Sequence, residues 1–445
     1  MKKVEQFSIG YALLKVIAYI PFRITHHRFI INGQENIPKN RPIIFAPNHQ
    51  NALLDPLAII FATSLQPVFL ARADIFKNKW IAQILHFLKI LPVYRIRDGK
   101  ETLSKNEDVF NEAFHILKSN KALCLFPEGA HIGIKSMLPH KKAIPRIVFL
   151  SAEKSNETLN TQIVPVGINY SNYYGFRRNV TINYGKPLQA MEYYPILKKE
   201  GENAATLKLR EDLFDAVRQL VVYVPDKSSY VLFEEAFKMA ASLNIPLSHS
   251  KDFVPAEQMI IEKLAQYLDL NQDQKTSWTE MAKEYQLLKN QLKLTENTLS
   301  DTDVDIATKM KNILLLSIGL PFSLWGTLSN GWLFYLTRYP YRKGIKDPQF
   351  YSSVSYVLTL LLFPLWFVAE YFILQAILQS GWLALGLIAI SIPGGIFAWE
   401  TGQLIINFFN KIQFRRLTKT VSVEYNRLKI LRAELLAFYQ KCMME

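Results

Sequence analysis

From Pro348 to Phe409 the chain carries two charges, Glu370 and Glu400, in a run long enough for two helices of the roughly 20 apolar residues that cross a bilayer. The expected spans are 354–377 and 382–408. They turn at Gln379 to Gly381 in a connection too short for a domain, which makes 354–408 a transmembrane hairpin. A second uncharged stretch, Ile313 to Thr337, has Lys309 and Lys311 before it and Arg338, Arg342, Lys343 and Lys346 after it. A single crossing would strand one basic cluster on the wrong side of the membrane. Pro321 and Asn330-Gly331 interrupt the stretch, so a re-entrant or interfacial hairpin over 313–337 fits the charge rule better, with a three-span topology as the alternative. The hairpin reading leaves every basic cluster, including Lys411, Arg415, Arg416 and Lys419, facing the cytoplasm. The expectation is a multi-pass membrane domain over 309–410 and a cytoplasmic helical tail over 411–445. In that tail Leu428, Leu431, Leu435, Phe438 and Tyr439 recur at helical spacing.

A chain of 445 residues is too long for one small module, and 49% hydrophobic residues exclude a disordered protein. Lys plus Arg outnumber Asp plus Glu by 52 to 38, a formal net charge of +14 that favours anionic partners. Because the excess accompanies membrane segments, membrane lipids and phosphorylated small molecules explain it better than nucleic acid, which is not expected to bind. The cysteines, Cys124 and Cys442, exclude a disulfide framework, and no Cys/His spacing indicates a metal site. Met-Lys-Lys followed by Phe7 to Phe22 has the outline of a signal peptide, but Lys15 interrupts it and no small-residue cleavage site follows. Tyr11, Leu14, Ile17, Ala18 and Phe22 instead mark 1–29 as an amphipathic helix in the membrane interface, or else an ordinary core-packing helix. Residues 191–308 are polar and helical, punctuated by Pro225, Pro246 and Pro255, and are expected to give structural support.

Residues 30–190 change to short β-rich apolar runs between amphipathic helices, the pattern of a mixed α/β domain. Expected strands are 42–46, 68–71, 90–94, 122–126 and 163–168, with helices near 56–65, 78–88, 104–119 and 141–153. Each strand ends in polar residues: Asn48-His49, Arg95 and Arg97, Pro127-Glu128-Gly129, and Asn169-Tyr170. In open α/β sheets such ends line the ligand crevice. Asp55 before Pro56 reads as the N-cap of a helix, which leaves His49 in the preceding loop. Folded back, the Asp55 carboxylate can take the imidazole Nδ1 proton and leave Nε2 as a base. Taken alone, the spacing describes a solvated loop histidine better. Glu128 at a strand exit can fix a hydroxyl, and Gly129 permits close backbone approach. Lys141 and Lys142 can pair with a phosphate, and Arg95 offers it a bidentate fork. Together these residues describe a base beside an anion-binding pocket.

These residues resemble the glycerolipid acyltransferase family, which includes lysophosphatidate and glycerol-3-phosphate acyltransferases. Its four ordered blocks match Asn48-His49 to Asp55-Pro56, Leu91 to Arg95, Phe126 to Gly129, and Ile163 to Val166. Five residues separate His49 from Asp55 where the family usually has four. Where the family follows Glu-Gly with Thr or Ser and then Arg, this chain has Ala130 and His131. The resemblance implies an α/β fold, a mixed sheet flanked by helices, to which the reading of the rest of the chain adds a helical region and a C-terminal α-helical membrane domain. It implies that His49 deprotonates an acceptor hydroxyl attacking the thioester of acyl-CoA or acyl-carrier protein, that Asp55 orients the imidazole, and that no other cofactor is needed. Asn48, Arg95, Arg97, Glu128, Gly129, His131, Lys141 and Lys142 are the expected substrate-binding set. Lysophosphatidate and glycerol-3-phosphate stand level as acceptors, and a homo-oligomer is compatible with the tail. The competing reading is a catalytically silent lipid-binding or membrane-shaping protein on the same fold.

Overall fold

The computed structural model describes residues 3–94, 105–243, 245, 252–300, 306–419 and 423–444. The chain divides into two compact units, Met1–Tyr223 with Asp347–Ser353, and Val224–Lys346 with Val354–Glu445.

The first unit opens with α1 (Ile9–Thr25), followed by β1 (His26–Asn32), β2 (Ile43–Pro47), α2 (Leu54–Ala62), β3 (Val68–Arg72), α3 (Lys79–Phe87) and β4 (Ile90–Val93). It continues with α4 (Lys105–Lys118), β5 (Ala122–Cys124), α5 (Ala143–Lys154), β6 (Gln162–Tyr170), β7 (Arg178–Tyr184), β8 (Leu188–Gln189), α6 (Tyr194–Glu200) and α7 (Glu202–Arg218). The strands form one mixed sheet in the order β1-β7-β6-β2-β5-β3-β4, with β8 beside β6. Pairings from β6 across to β4 are parallel, and β7 and β8 run antiparallel to β6. Every residue of β2 is buried, as a parallel strand covered on both faces requires. Ile44, Val68, Leu123 and Ile163 meet Ile147, Val148, Leu209 and Leu213 in one core. Fully burying such a side chain stabilises the fold by about 1.5–3 kcal/mol.

The five expected strands are present with small shifts of boundary, and the sheet gains β1, β7 and β8. The unit runs to Tyr223, so the expected boundary at 190 falls inside it; α7 packs on α5 and β6. In α1, Tyr11, Ala18 and Phe22 face the core, whereas Ile17, from the same expected stripe, is exposed together with Ile9, Leu13, Val16 and Ile20. The helix therefore packs on the unit by one face and leaves the other apolar and uncovered.

His140, between β5 and α5, is buried with neither ring nitrogen hydrogen-bonded. Burial, reinforced by Arg210, pushes its pKa down to about 4. Between pH 6.5 and 4 the unfolded chain thus binds a proton that the folded chain refuses. The contribution is complete above about pH 6.5 and is lost as pH falls toward 4, to a total of about 3 kcal/mol. His26, also buried and held well below the ordinary histidine range, acts with the same sign. Thermal unfolding in detergent at pH 7.5 and pH 5 should show a marked drop for wild type and a smaller one for His140→Leu.

The second unit contains α8 (Tyr230–Met239), α9 (Val254–Leu270), α10 (Gln272–Gln291), α11 (Glu296–Leu299), α12 (Ile306–Leu336), most of α13 (Tyr351–Leu378), α14 (Gly381–Lys419) and α15 (Val423–Met444). The apolar stripe of α15 is buried, with contacts to α9 and α10. Arg432 pairs with Glu296 at 2.8 Å, and the Tyr439 hydroxyl donates to the Leu232 carbonyl at 2.7 Å. Two helices, Pro348–Leu378 and Gly381–Phe414, are long and apolar enough to cross a membrane. The expected reversal within 313–337 is not found, because α12 runs through Pro321 and Asn330-Gly331 as one helix. A neighbouring helix meets it there instead: the Asn330 amide N–H donates to the Ser391 carbonyl at 2.9 Å. Gly326 also lies so close to Gly394 that an added Cβ would fall 2.1 Å from backbone.

Candidate active site

Three strand ends lie side by side. Pro47 of β2 is in register with Val166 of β6, and Phe45 with Cys124 of β5, so the segments leaving β2 and β5 meet beside the end of β6. Asn48 is fully buried and extends the β2–β6 pairing with its side chain. It accepts from the Ile168 amide at 2.7 Å and donates to the Ile168 carbonyl at 3.1 Å. This fixes the root of the loop that carries His49.

That loop turns at Ala52, whose φ of 40° lies in the left-handed region that alanine rarely adopts. The turn brings Asp55 back beneath the loop. Its Oδ2 accepts from His49 Nδ1, the Gln50 amide and the Asn51 amide, each at 2.7 Å, while Oδ1 accepts from the Tyr170 hydroxyl at 2.9 Å. Asp55 is fully buried and the His49 side chain is 16% exposed. The helix begins at Leu54, so Asp55 is not the expected N-cap; its carboxylate is spent on the loop amides instead of the helix N–H groups. A carboxylate oxygen facing Nδ1 at hydrogen-bond distance sets the Nδ1–H tautomer and leaves His49 Nε2 as a lone pair. The imidazole stacks on Phe126 at 4.1 Å.

Glu128, expected on the substrate, is fully buried. Its Oε1 accepts from the His49 amide at 2.8 Å and Oε2 from the Leu138 amide at 2.7 Å, so it braces the loop from below. Gly129 is exposed with φ +65°, a conformation that strains any other residue. A Cβ there would meet the Lys141 side chain at 3.4 Å, which places that lysine beside the turn. Lys141 and Lys142 are exposed at the start of α5. His131 lies with its ring 5.1 Å from that of His49, edge to face. Arg95 and Arg97 lie outside the described residues; the end of β4 before them is fastened by paired hydrogen bonds of 2.9 Å between Tyr94 and Asn106.

Two residues outside the expected set complete the support. Tyr170 was legible only as a polar strand end. Arg178 is buried, with its guanidinium 5.6 Å from the Tyr170 ring, and Nε donates to His26 Nε2 at 3.0 Å. Burial pushes its pKa down to about 10, which leaves it a cation at neutral pH. No group of three or more His, Cys, Asp or Glu side chains placed to hold a metal occurs among the described residues.

Residues 28–169 match the family model described as Acyltransferase, so this part of the chain is similar to that family. Individual relatives are more distant. An uncharacterised acyltransferase of Schizosaccharomyces pombe is 25% identical over 144 residues, 32% of this chain and 21% of its own length. Glycerol-3-phosphate O-acyltransferase 2 of Saccharomyces cerevisiae is 23% identical over 142 residues, 32% of this chain and 19% of its own. The 1-acyl-sn-glycerol-3-phosphate acyltransferase of Borreliella burgdorferi is 23% identical over 179 residues, 40% of this chain and 65% of its own. The chain thus spans about a fifth of the length of the two yeast relatives. A crystal structure of PlsC, the 1-acyl-sn-glycerophosphate acyltransferase of Thermotoga maritima, aligns over 47% of this chain and 78% of its own, with 20% identity and a TM-score of 0.33.

Proposed function

We propose that this protein is a membrane-bound O-acyltransferase that moves a fatty acyl chain from acyl-CoA or acyl-carrier protein to a hydroxyl of glycerol-3-phosphate or a lysophospholipid such as lysophosphatidate. The observation that carries the reading is the buried Asp55 carboxylate holding His49 Nδ1 at 2.7 Å, which leaves Nε2 as the base. His49 takes the acceptor hydroxyl proton as the oxygen attacks the thioester carbonyl. The C–O bond forms, the tetrahedral intermediate collapses, the C–S bond breaks, and the departing thiolate takes the proton back from the imidazolium. Lys141 and Lys142, exposed beside the Gly129 turn, meet the acceptor's phosphate as point charges.

The membrane assignment is supported by α13 and α14, whose side chains Leu361, Leu365, Phe372 and Trp382 are exposed apolar surface of the kind a bilayer covers. The lysines and arginines that flank this pair of helices support a cytoplasmic face for the catalytic unit. Purified protein in liposomes, given labelled acyl-CoA or acyl-carrier protein with glycerol-3-phosphate, lysophosphatidate and other lysolipids, should yield one acylated product by mass spectrometry. Folded protein that acylates none of them would return the silent lipid-binding reading.

Tyr170 acts through Asp55. Tyr170→Phe removes one of four hydrogen bonds to the carboxylate and should lower kcat by about 3- to 10-fold, the worth of one such bond, with acceptor KM unchanged. A KM effect without loss of kcat would place the hydroxyl on the substrate instead.

A further inference from the structure

The segment Asp347–Ser353 belongs to the catalytic unit although it lies far along the chain from the acyltransferase domain, at the very start of α13. It is pinned to that unit at one end. The Ser352 hydroxyl donates to the Tyr173 carbonyl at 2.7 Å and accepts from Arg178 Nη1 at 2.9 Å, and Ser353 accepts from the Leu53 amide at 3.0 Å. At its other end Gln349 hydrogen-bonds through its amide oxygen to His131 Nδ1, 218 residues earlier, and Phe350 sits edge-on to the His131 ring at 5.1 Å. Gln349 also passes so near Gly133 that a Cβ there would lie 3.2 Å from its Cγ.

We propose that Gln349 is a specificity-determining residue for the acyl acceptor, forming with His131 an uncharged hydrogen-bonding wall beside His49. The proposal rests on His49 being the reacting base. A hydroxyl losing its proton to His49 must come within about 3 Å of the ring. The His131 ring lies 5.1 Å from that of His49, within reach of the carbon next to the reacting one. With Nδ1 donating to Gln349, His131 keeps a lone pair at Nε2, and Gln349 keeps its amide N–H groups for a substrate oxygen. A neighbouring hydroxyl of a glycerol backbone would use both, donating to Nε2 and accepting from the amide, whereas a neighbouring ester oxygen would accept from the Gln349 N–H alone. Burial lowers the His131 pKa, so the wall is neutral where the resembling family carries an arginine.

The test is steady-state kinetics of the full chain in detergent, with acyl-CoA as donor and glycerol-3-phosphate and lysophosphatidate as separate acceptors. Gln349→Leu should raise the acceptor KM by about tenfold, the value of one neutral hydrogen bond, while kcat and the acyl-CoA KM stay within about twofold. Gln349→Asn should recover part of the loss, and Gln349→Glu should be worst for acceptors bearing phosphate. An unchanged acceptor KM in folded Gln349→Leu protein, or an equal rise in the acyl-CoA KM, would overturn the assignment. Retained turnover by His49→Ala would remove the base reading itself, whatever Gln349 does. Calorimetric binding of glycerol-3-phosphate separates the two without turnover: His49→Ala should bind as wild type does, and His49→Ala with Gln349→Leu about tenfold more weakly.

Discussion

Folded His49→Ala protein should transfer acyl groups about 10²- to 10⁴-fold more slowly than wild type, the usual contribution of a positioned general base. The His49 ring stacks on Phe126 and forms one side-chain hydrogen bond, to Asp55. The loop does not depend on that ring: Asp55 still binds the Gln50 and Asn51 amides and Tyr170, and Glu128 binds the His49 backbone amide, which alanine retains. Thermal unfolding should therefore change little while turnover collapses. Rates measured by mass spectrometry beside unfolding curves for the same preparation make the comparison. Activity within a few-fold of wild type would mean that some other group takes the hydroxyl proton.

How much of this was legible in sequence varies with the physics of each element. Strands β2, β5 and β6 are buried almost throughout, and with β3 and β4 they read as plain apolar runs, so their positions were evident. In β7 Thr181 and Asn183 alternate with Val180 and Ile182, and β1 is the edge strand beside it; neither presents an unbroken apolar run. The His49–Asp55 partnership was legible only alongside Glu128, Gly129 and the basic residues, since a loop histidine ahead of a proline-marked helix start describes a solvated side chain just as well. Its details were not, because the carboxylate serves the loop amides and the helix begins a residue earlier than Asp55. Tyr170, Arg178 and Gln349 act across 115 to 218 residues of sequence, and no local pattern encodes such partners. The hairpin expected in 313–337 failed for a similar reason: Pro321 and Asn330-Gly331 look like breaks, yet α12 runs through them, with Asn330 and the nearby Gly326 fitting it to α14.

The same limit governs Glu128, whose position at a strand exit was plain but whose direction was not. Glu128→Gln puts an amide NH₂ where one carboxylate oxygen now accepts a backbone N–H, so two donors face each other in a fully buried site. Losing a charge-assisted bond and leaving a buried donor unpaired should cost about 2–5 kcal/mol of stability. Because one of those amides is that of His49, the imidazole also shifts, and misplacement on the order of 1 Å costs about 100-fold in rate. A brace predicts that unfolding temperature and kcat fall together with acceptor KM nearly constant. A contact to the acceptor predicts the opposite: a raised acceptor KM in protein as stable as wild type. Glu128→Asp sharpens the contrast, since a shorter carboxylate still accepts hydrogen bonds but cannot reach both amides, and it should fall between wild type and Glu128→Gln in both stability and rate.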